Sequence, residues 1–363
     1  MRGWKTVRRR KSSKVIEWKE SEVTRRASCT VVAGEIISAR LMDRPGRRPT
    51  SWRAVAEWVG GRGRPRVRFN STLLIGVLLL LLAAAQGGVH GTFNTQAAAA
   101  VVPSYDHIFF VIDENHARSQ VIGPAPYLTS LANANAQSST YYAVTHPSVN
   151  NYLALFSGQT YSNINDTCVA GTGTCHTAAP NLADEIVASG RTAKGYMESM
   201  PSPCWLQYGP SPYVQRHNPF PYFDQIRTDP ARCSSIVPYT QLASDLGSAA
   251  TTPNFAWITP NLNNDMHNGS VAQGDVWAQS SFPAIFNSPA WKTQHSLLIF
   301  TLDEDDGSAG NNVAFFVVSS DGSTKTNFTS TVTSNAYSAL RTIEAAWGLG
   351  TMTSNDATAS PMS

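Results

Sequence analysis

Two short acidic clusters stand directly after strongly apolar runs: Asp113-Glu114-Asn115-His116 after His107–Ile112, and Asp303-Glu304-Asp305-Asp306-Gly307 after Ser296–Leu302. Adjacent carboxylates repel one another unless a cation or solvent neutralises them, so two such clusters at equivalent places point to a bound cation. Glu114, Asn115, Asp303 and Glu304 offer oxygen donors and no thiolate, the set that a hard divalent ion such as Ca or Mg prefers. A third cluster, Thr145-His146-Pro147-Ser148, ends in a hydroxyl just ahead of the helix-like stretch Val149–Phe156. The first amides of a helix favour an anion, so Ser148 can either cap the helix or attack an anionic group held there. His146, His217 and His267 all lie in polar, loop-like sequence, where an imidazole is free to exchange a proton at mildly acidic pH. Arg118, Glu198 and Asp265 are the further candidates for substrate contacts: Arg118 is the basic residue close to a strand-end cluster, and Glu198 can orient one of the histidines.

These residues need rigid elements to bring them together. The apolar runs at 107–112, 296–302 and 313–318 have the length and continuity of strands buried on both faces. Helix-like stretches lie between them at 127–136, 149–156, 181–189, 276–286 and 337–347. Strands alternating with helices predict an α/β fold with a mainly parallel sheet, and in such sheets ligands bind at the carboxyl ends of the strands. The acidic clusters fall at those ends.

Composition divides the chain. Of its 363 residues, 1–70 hold 19 basic and 6 acidic side chains, while 71–363 hold the other 9 and 19, so the overall net charge of +3 describes neither part. Composition excludes collagen-like and disulfide-dense classes, and one apolar run, Leu73–Ala85, excludes a polytopic membrane protein. That run follows Arg62, Arg64, Arg66 and Arg68 and precedes small residues, the layout of a secretory signal, so 71–89 is expected to be a signal peptide or signal anchor and the remainder to be secreted or extracytoplasmic. Membrane contact is expected only through that anchor or a lipid substrate. Residues 1–70 form a basic leader with no helical or strand period long enough to fold. The expectation is an over-extended start, and the alternative is a basic arm for nucleic acid or anionic lipid; no nucleic-acid partner is expected for the rest. Residues 90–104 read as a linker, 105–350 as the catalytic domain and 351–363 as a flexible tail. Cys168, Cys175, Cys204 and Cys233 are an even set in an exported segment, and pairing 168 with 175 and 204 with 233 closes two short local loops.

Taken in order, Glu114-Asn115, Thr145-His146-Pro147-Ser148 with Asn151-Tyr152-Leu153, Tyr196-Met197-Glu198, His217-Asn218-Pro219, Asn264-Asp265-Met266-His267 with Gly274-Asp275, and Asp303 to Gly307 resemble the phosphoesterase family of bacterial phospholipases C and acid phosphatases. The resemblance implies an alkaline-phosphatase-like α/β/α sandwich that hydrolyses phosphate esters, phospholipids among them, at a metal centre. It implies Glu114, Asn115, Asp303 and Glu304 as metal ligands and Ser148 as the nucleophile, with Thr145 the other hydroxyl of the same motif. It gives His146, His217 and His267 contact with the transferring phosphoryl group or the leaving oxygen. The expected activity is that of an acid phosphatase acting on monoesters. A phospholipase C-type diesterase is the alternative, and a non-catalytic metal- or phosphate-binding protein the alternative of another class. The last is prompted by one departure: Ala336 stands before Tyr337 where family members often have a His.

Overall fold

The computed structural model describes residues 102–362 and three strands nearer the N-terminus. Those strands, β1 (Lys14–Trp18), β2 (Arg26–Val32) and β3 (Glu35–Met42), form an antiparallel sheet in the order β1-β2-β3. The expectation of a leader without regular elements is thereby corrected. Runs such as Thr30-Val31-Val32 and Glu35-Ile36-Ile37 carry the β-branched side chains that favour extended backbone. The apolar run 73–85 and its signal reading lie outside the described residues. Among the described residues no helix is long and apolar enough to cross a membrane.

The second unit is built on an eight-stranded sheet. Its strands are β4 (His107–Asp113), β5 (Ala136–Ser138), β7 (Ala193–Met197), β8 (Ile236–Pro238), β9 (Phe255–Thr259), β10 (Ser296–Leu302), β11 (Phe315–Ser319) and β12 (Phe328–Ser330); β6 (Tyr141–Tyr142) and β13 (Ser334–Asn335) pair separately. The order is β12-β5-β11-β10-β4-β9-β7-β8. From β10 to β8 all neighbours are parallel, and β11 runs antiparallel to both β10 and β5. Every residue of β4, β9 and β10 is buried, as continuous apolar runs require. The helices Pro126–Ala134 and Val271–Phe286 pack together, as do Val149–Ser157, Leu182–Ala188 and Ala336–Trp347, giving an α/β fold with a mostly parallel central sheet and flanking helices. Val271–Phe286 begins five residues before the expected 276, because Ser270 caps it by accepting the Gln273 amide.

The helix Val149–Ser157 carries Ser148 at its head. Almost every residue in it is buried, and Phe156 meets Trp257 of β9 edge-on at 5.6 Å while Trp257 stacks on Phe110 of β4 at 5.0 Å. Burying each such side chain contributes roughly 1.5–3 kcal/mol, which fixes the helix against the centre of the sheet. Gly158 ends it at φ +74°, where a Cβ would also lie 2.7 Å from Asp356 Oδ1.

That contact corrects the expectation of a flexible tail. Residues 354–358 form a helix at whose start the Thr353 and Asn355 side chains donate to the Gly158 carbonyl, each at 2.9 Å. The buried Asp356 accepts the Met352 and Thr353 amides at 2.6 and 2.8 Å, so the tail is a clamp on the far end of the Val149–Ser157 helix. Glu344, buried beside Asp356, is pushed up to about 8 by burial and then by the Asp356 carboxylate, with Arg341 opposing. A carboxyl whose folded-state affinity for its proton is raised stabilises the fold below the unfolded value of ~4.5 and loses that contribution as pH rises towards 8. Thermal stability is therefore expected to fall across pH 5–8, and Glu344→Gln to flatten that slope in melts recorded across the range. An unchanged slope would remove Glu344 from the account.

Candidate active site

The register of the sheet creates the site. Leu302 of β10 pairs in parallel with Asp113 of β4, so the next residues, Asp303 and Glu304 on one strand and Glu114 on the other, emerge side by side. The Asp303 amide donates to the Asp113 carbonyl at 3.0 Å, continuing the ladder one step. On the other side, the Glu114 amide donates to the Asp265 carbonyl at 2.8 Å, which ties in the loop after β9. Gly274 allows that loop to approach the helix Val271–Phe286: a Cβ there would fall 2.5 Å from Met266 Cγ. This accounts for the spacing between Asp265-Met266-His267 and Gly274.

Glu114, Asp303 and Glu304 offer carboxylate oxygens that all lie within 4.8 Å of one another, and all three residues are buried. Ser148 completes the group. Its Oγ lies 3.1 Å from Glu114 Oε2 and 3.1 Å from Glu304 Oε1, and it makes no capping bond to its own helix. Capping, the alternative reading of Ser148, is thus not what the hydroxyl does. Thr145 differs: its hydroxyl is exposed and donates to the neighbouring His146 carbonyl. Asn151 holds the turn that delivers Ser148, accepting the Val144 and Thr145 amides and donating to the Thr145 carbonyl.

A second donor group shares Glu114. Glu114, His217 and His267 also present ligand atoms within 4.8 Å of one another. The expected all-oxygen set did not include these imidazoles, whose nitrogens widen the range of metals the site suits. His217 is 2% exposed, stacked flat on Tyr152, with Nδ1 3.1 Å from Asp265 Oδ2 and Nε2 2.9 Å from Glu114 Oε1. Burial disfavours its charge, but Glu114 and Asp265 outweigh that and raise it to about 9. His217 therefore sits among the ligand candidates, without the open face that contact with a leaving group needs.

The electrostatics favour a cation. Burial, then Glu114 and Glu304, push the Asp303 carboxyl well above the usual range; burial and then Glu114 raise Glu304 to about 7. For Glu114 burial acts upward, and His217, Tyr152 and His267 together more than reverse it. Asp303 Oδ2, Glu114 Oε1 and His217 Nε2 are buried without an aligned hydrogen-bond partner, although the last two lie close together. Buried carboxylates that converge with an oxygen left unpaired are the pattern of a ligand set, and a divalent ion would satisfy Asp303 Oδ2 and share Glu114 with His217.

The remaining candidates separate. Asn115 contributes through its backbone: its amide donates to Asp303 Oδ1 at 3.3 Å, and its φ is +55°. His146 is half-exposed at the rim, with Nδ1 2.7 Å from Glu304 Oε2. His267 Nε2 lies 3.3 Å from Arg216 Nη2, and because a guanidinium only donates, Nε2 accepts and Nδ1 donates to Asn268 Oδ1. Asp265 orients both histidines, accepting the His267 amide at 2.8 Å. Two expectations are corrected. Glu198 orients no histidine; its carboxylate accepts from the Asn261 amide and from Asn264 Nδ2, shaping the loop that carries Asp265. Arg118 is not at the site either, since its guanidinium donates to the Ser138 carbonyl and Gln137 Oε1 of β5. The guanidinium near the donor groups is that of Arg216, next to His217 in sequence, which also donates to the Tyr208 hydroxyl at 2.9 Å. Its place in a loop gave no local signal. Ala336 is buried at the start of its helix behind Asn335, which accepts the Tyr337 and Ser338 amides. Both disulfides form as expected, Cys168–Cys175 and Cys204–Cys233, with Cα separations of 5.5 and 5.0 Å.

Known proteins are similar to this chain in sequence and in fold. The chain is 35% identical over 291 residues to a phosphatidylinositol-3-phosphatase of Mycobacterium tuberculosis, covering 79% of this chain and 91% of that one. It is 29% identical over 229 residues to an acid phosphatase of Aspergillus fumigatus, covering 60% of this chain and 50% of the fungal protein. Among solved structures, a protein of the alkaline phosphatase superfamily from Vibrio parahaemolyticus superposes with a TM-score of 0.50 at 14% identity, over 72% of this chain and 71% of that one, a likeness of fold. Residues 123–350 match the model of the phosphoesterase family. The chain therefore belongs to the phosphoesterase family and is a hydrolase of phosphoric esters.

Proposed function

We propose that this chain is an exported, metal-dependent phosphatase that hydrolyses phosphate monoesters, phosphoinositides among them, with Ser148 as its nucleophile. The observation that carries the reading is the Ser148 hydroxyl, buried at the head of a fixed helix and 3.1 Å from two carboxylates of a donor group. A divalent ion held by Glu114, Asp303 and Glu304 would neutralise the cluster and polarise the phosphoryl group. The chain's own residues account for the rest. Ser148 Oγ attacks phosphorus in line with the leaving alkoxide. Its proton passes to the Glu304 oxygen that it contacts, and His146, 2.7 Å from the other Glu304 oxygen and open to solvent, carries the proton that the leaving group takes. His146 then delivers a proton to the leaving oxygen. Water attacks the phosphoseryl intermediate by the reverse path and frees phosphate. Arg216, whose guanidinium lies 3.3 Å from His267 of the second donor group, would stabilise charge on the equatorial oxygens.

Export rests on the basic-then-apolar pattern ahead of the domain and on the two disulfides, which persist in oxidising compartments. Substrate choice is tested by assaying phosphatidylinositol 3-phosphate and phosphatidylcholine side by side. Free phosphate from the first and no diacylglycerol from the second is the expected result. Diacylglycerol release would make the chain a phospholipase C-type diesterase.

A further inference from the structure

A second cavity lies over β10 and β11, and none of its lining residues belongs to the donor groups around Glu114. It has a volume of about 400 Å³, within the ~300–1,000 Å³ of small-molecule sites, and its floor is Leu297 of β10 with Phe315 and Val317 of β11. The floor runs along the sheet: Leu297 is at the end of β10 opposite Asp303, whereas Phe315 pairs with Thr301 nearer the acidic end. Met362 of the folded-back tail closes one side, and Phe328 and Val332, two of the large hydrophobic residues exposed in the described chain, stand at the rim.

Two features distinguish the cavity from ordinary apolar packing. No Asp or Glu lines it, although residues 71–363 hold 19 acidic side chains against 9 basic ones. Lys325, one of those nine, lines it and sits 4.4 Å from the centroid of the Phe328 ring, which holds the ammonium at the rim. An apolar interior with a single cation at its edge complements an amphiphile whose charge is negative.

We propose that this cavity binds one molecule of a single-chain anionic lipid, its alkyl chain over Leu297, Phe315 and Val317 and its head group at Lys325. The site is independent of the reaction: none of these residues belongs to the donor groups around Glu114.

Dodecanoate, used below its micellar concentration with the full chain and read by titration calorimetry, is the direct probe. One molecule per chain is expected to bind, with dodecan-1-ol at least tenfold weaker. Lys325→Glu, a surface change, should weaken dodecanoate at least tenfold and leave p-nitrophenyl phosphate hydrolysis unaltered. Leu297→Trp, which fills the floor, should abolish binding. Inorganic phosphate should not displace the probe. Absence of saturable binding, several molecules per chain, or equal affinity in Lys325→Glu would overturn the proposal. So would displacement by phosphate, which would place the probe at the catalytic group, or a change of oligomeric state in Lys325→Glu, which would assign the cavity to a second copy of the chain.

Discussion

Replacing Ser148 by Ala is expected to leave a folded protein that hydrolyses p-nitrophenyl phosphate at least ~10³-fold more slowly. The hydroxyl is not a helix cap, so its loss removes no capping bond and stability should change by less than ~1 kcal/mol. Ala also takes a hydrogen-bond donor away from the Glu114 and Glu304 carboxylates, a modest loss that acts in the destabilising direction. Single-turnover kinetics with matched thermal melts separates the two effects. A variant that keeps its melting temperature and loses the burst of leaving group fits a phosphoseryl intermediate. Full activity would eliminate Ser148 as nucleophile and bring back Thr145, whose hydroxyl is exposed and bonded locally.

Glu114→Gln should have an effect of similar size by a different route. Glu114 is the residue shared by the two donor groups, so neutralising it weakens both at once. Metal binding is expected to fall by at least ~10²-fold and activity by ~10³-fold. Stability carries the sharper signature. A metal at a hundred times its dissociation constant stabilises by about 2.7 kcal/mol, roughly 5–10 °C in a domain of this size. The wild-type chain should show that rise when metal is added and the Gln variant should not. Without added metal the substitution relieves repulsion on Asp303 and Glu304 but also takes away the carboxylate paired with the buried His217, so the metal-dependent rise, and not the metal-free melting temperature, is the readout. A variant that still gains stability from metal would show that the ion sits elsewhere.

The acidic clusters were legible because their signal is local: a strand buried on both faces must end where charge begins, and parallel pairing aligns such ends. Ser148 was legible as a residue at the head of a helix. Its direction was not, since that depends on how the helix lies against β4 and β10. Arg118 and Arg216 show the limit most clearly. Sequence distance favoured Arg118, four residues from Glu114, but the strand end turns it towards β5. Arg216 is far along the chain from either cluster and reaches the site through the loop that also carries His217. Glu198 misled for the same reason: a carboxylate after a strand is recognisable, while its partner, the Asn261–Asn264 turn, is fixed only by the pairing of β7 with β9. The tail looked flexible because its polar composition has no periodicity. Its order comes from a buried Asp356 that caps its own helix and meets Gly158.

The central claim is that a buried carboxylate group holds a metal on which hydrolysis depends. Metal content and p-nitrophenyl phosphate turnover measured on the same sample, before chelation, after it and after re-addition of single divalent ions, test this most directly. The expected result is a stoichiometric metal whose removal abolishes turnover and whose return restores it. Undiminished turnover by a chain shown to be metal-free would contradict it.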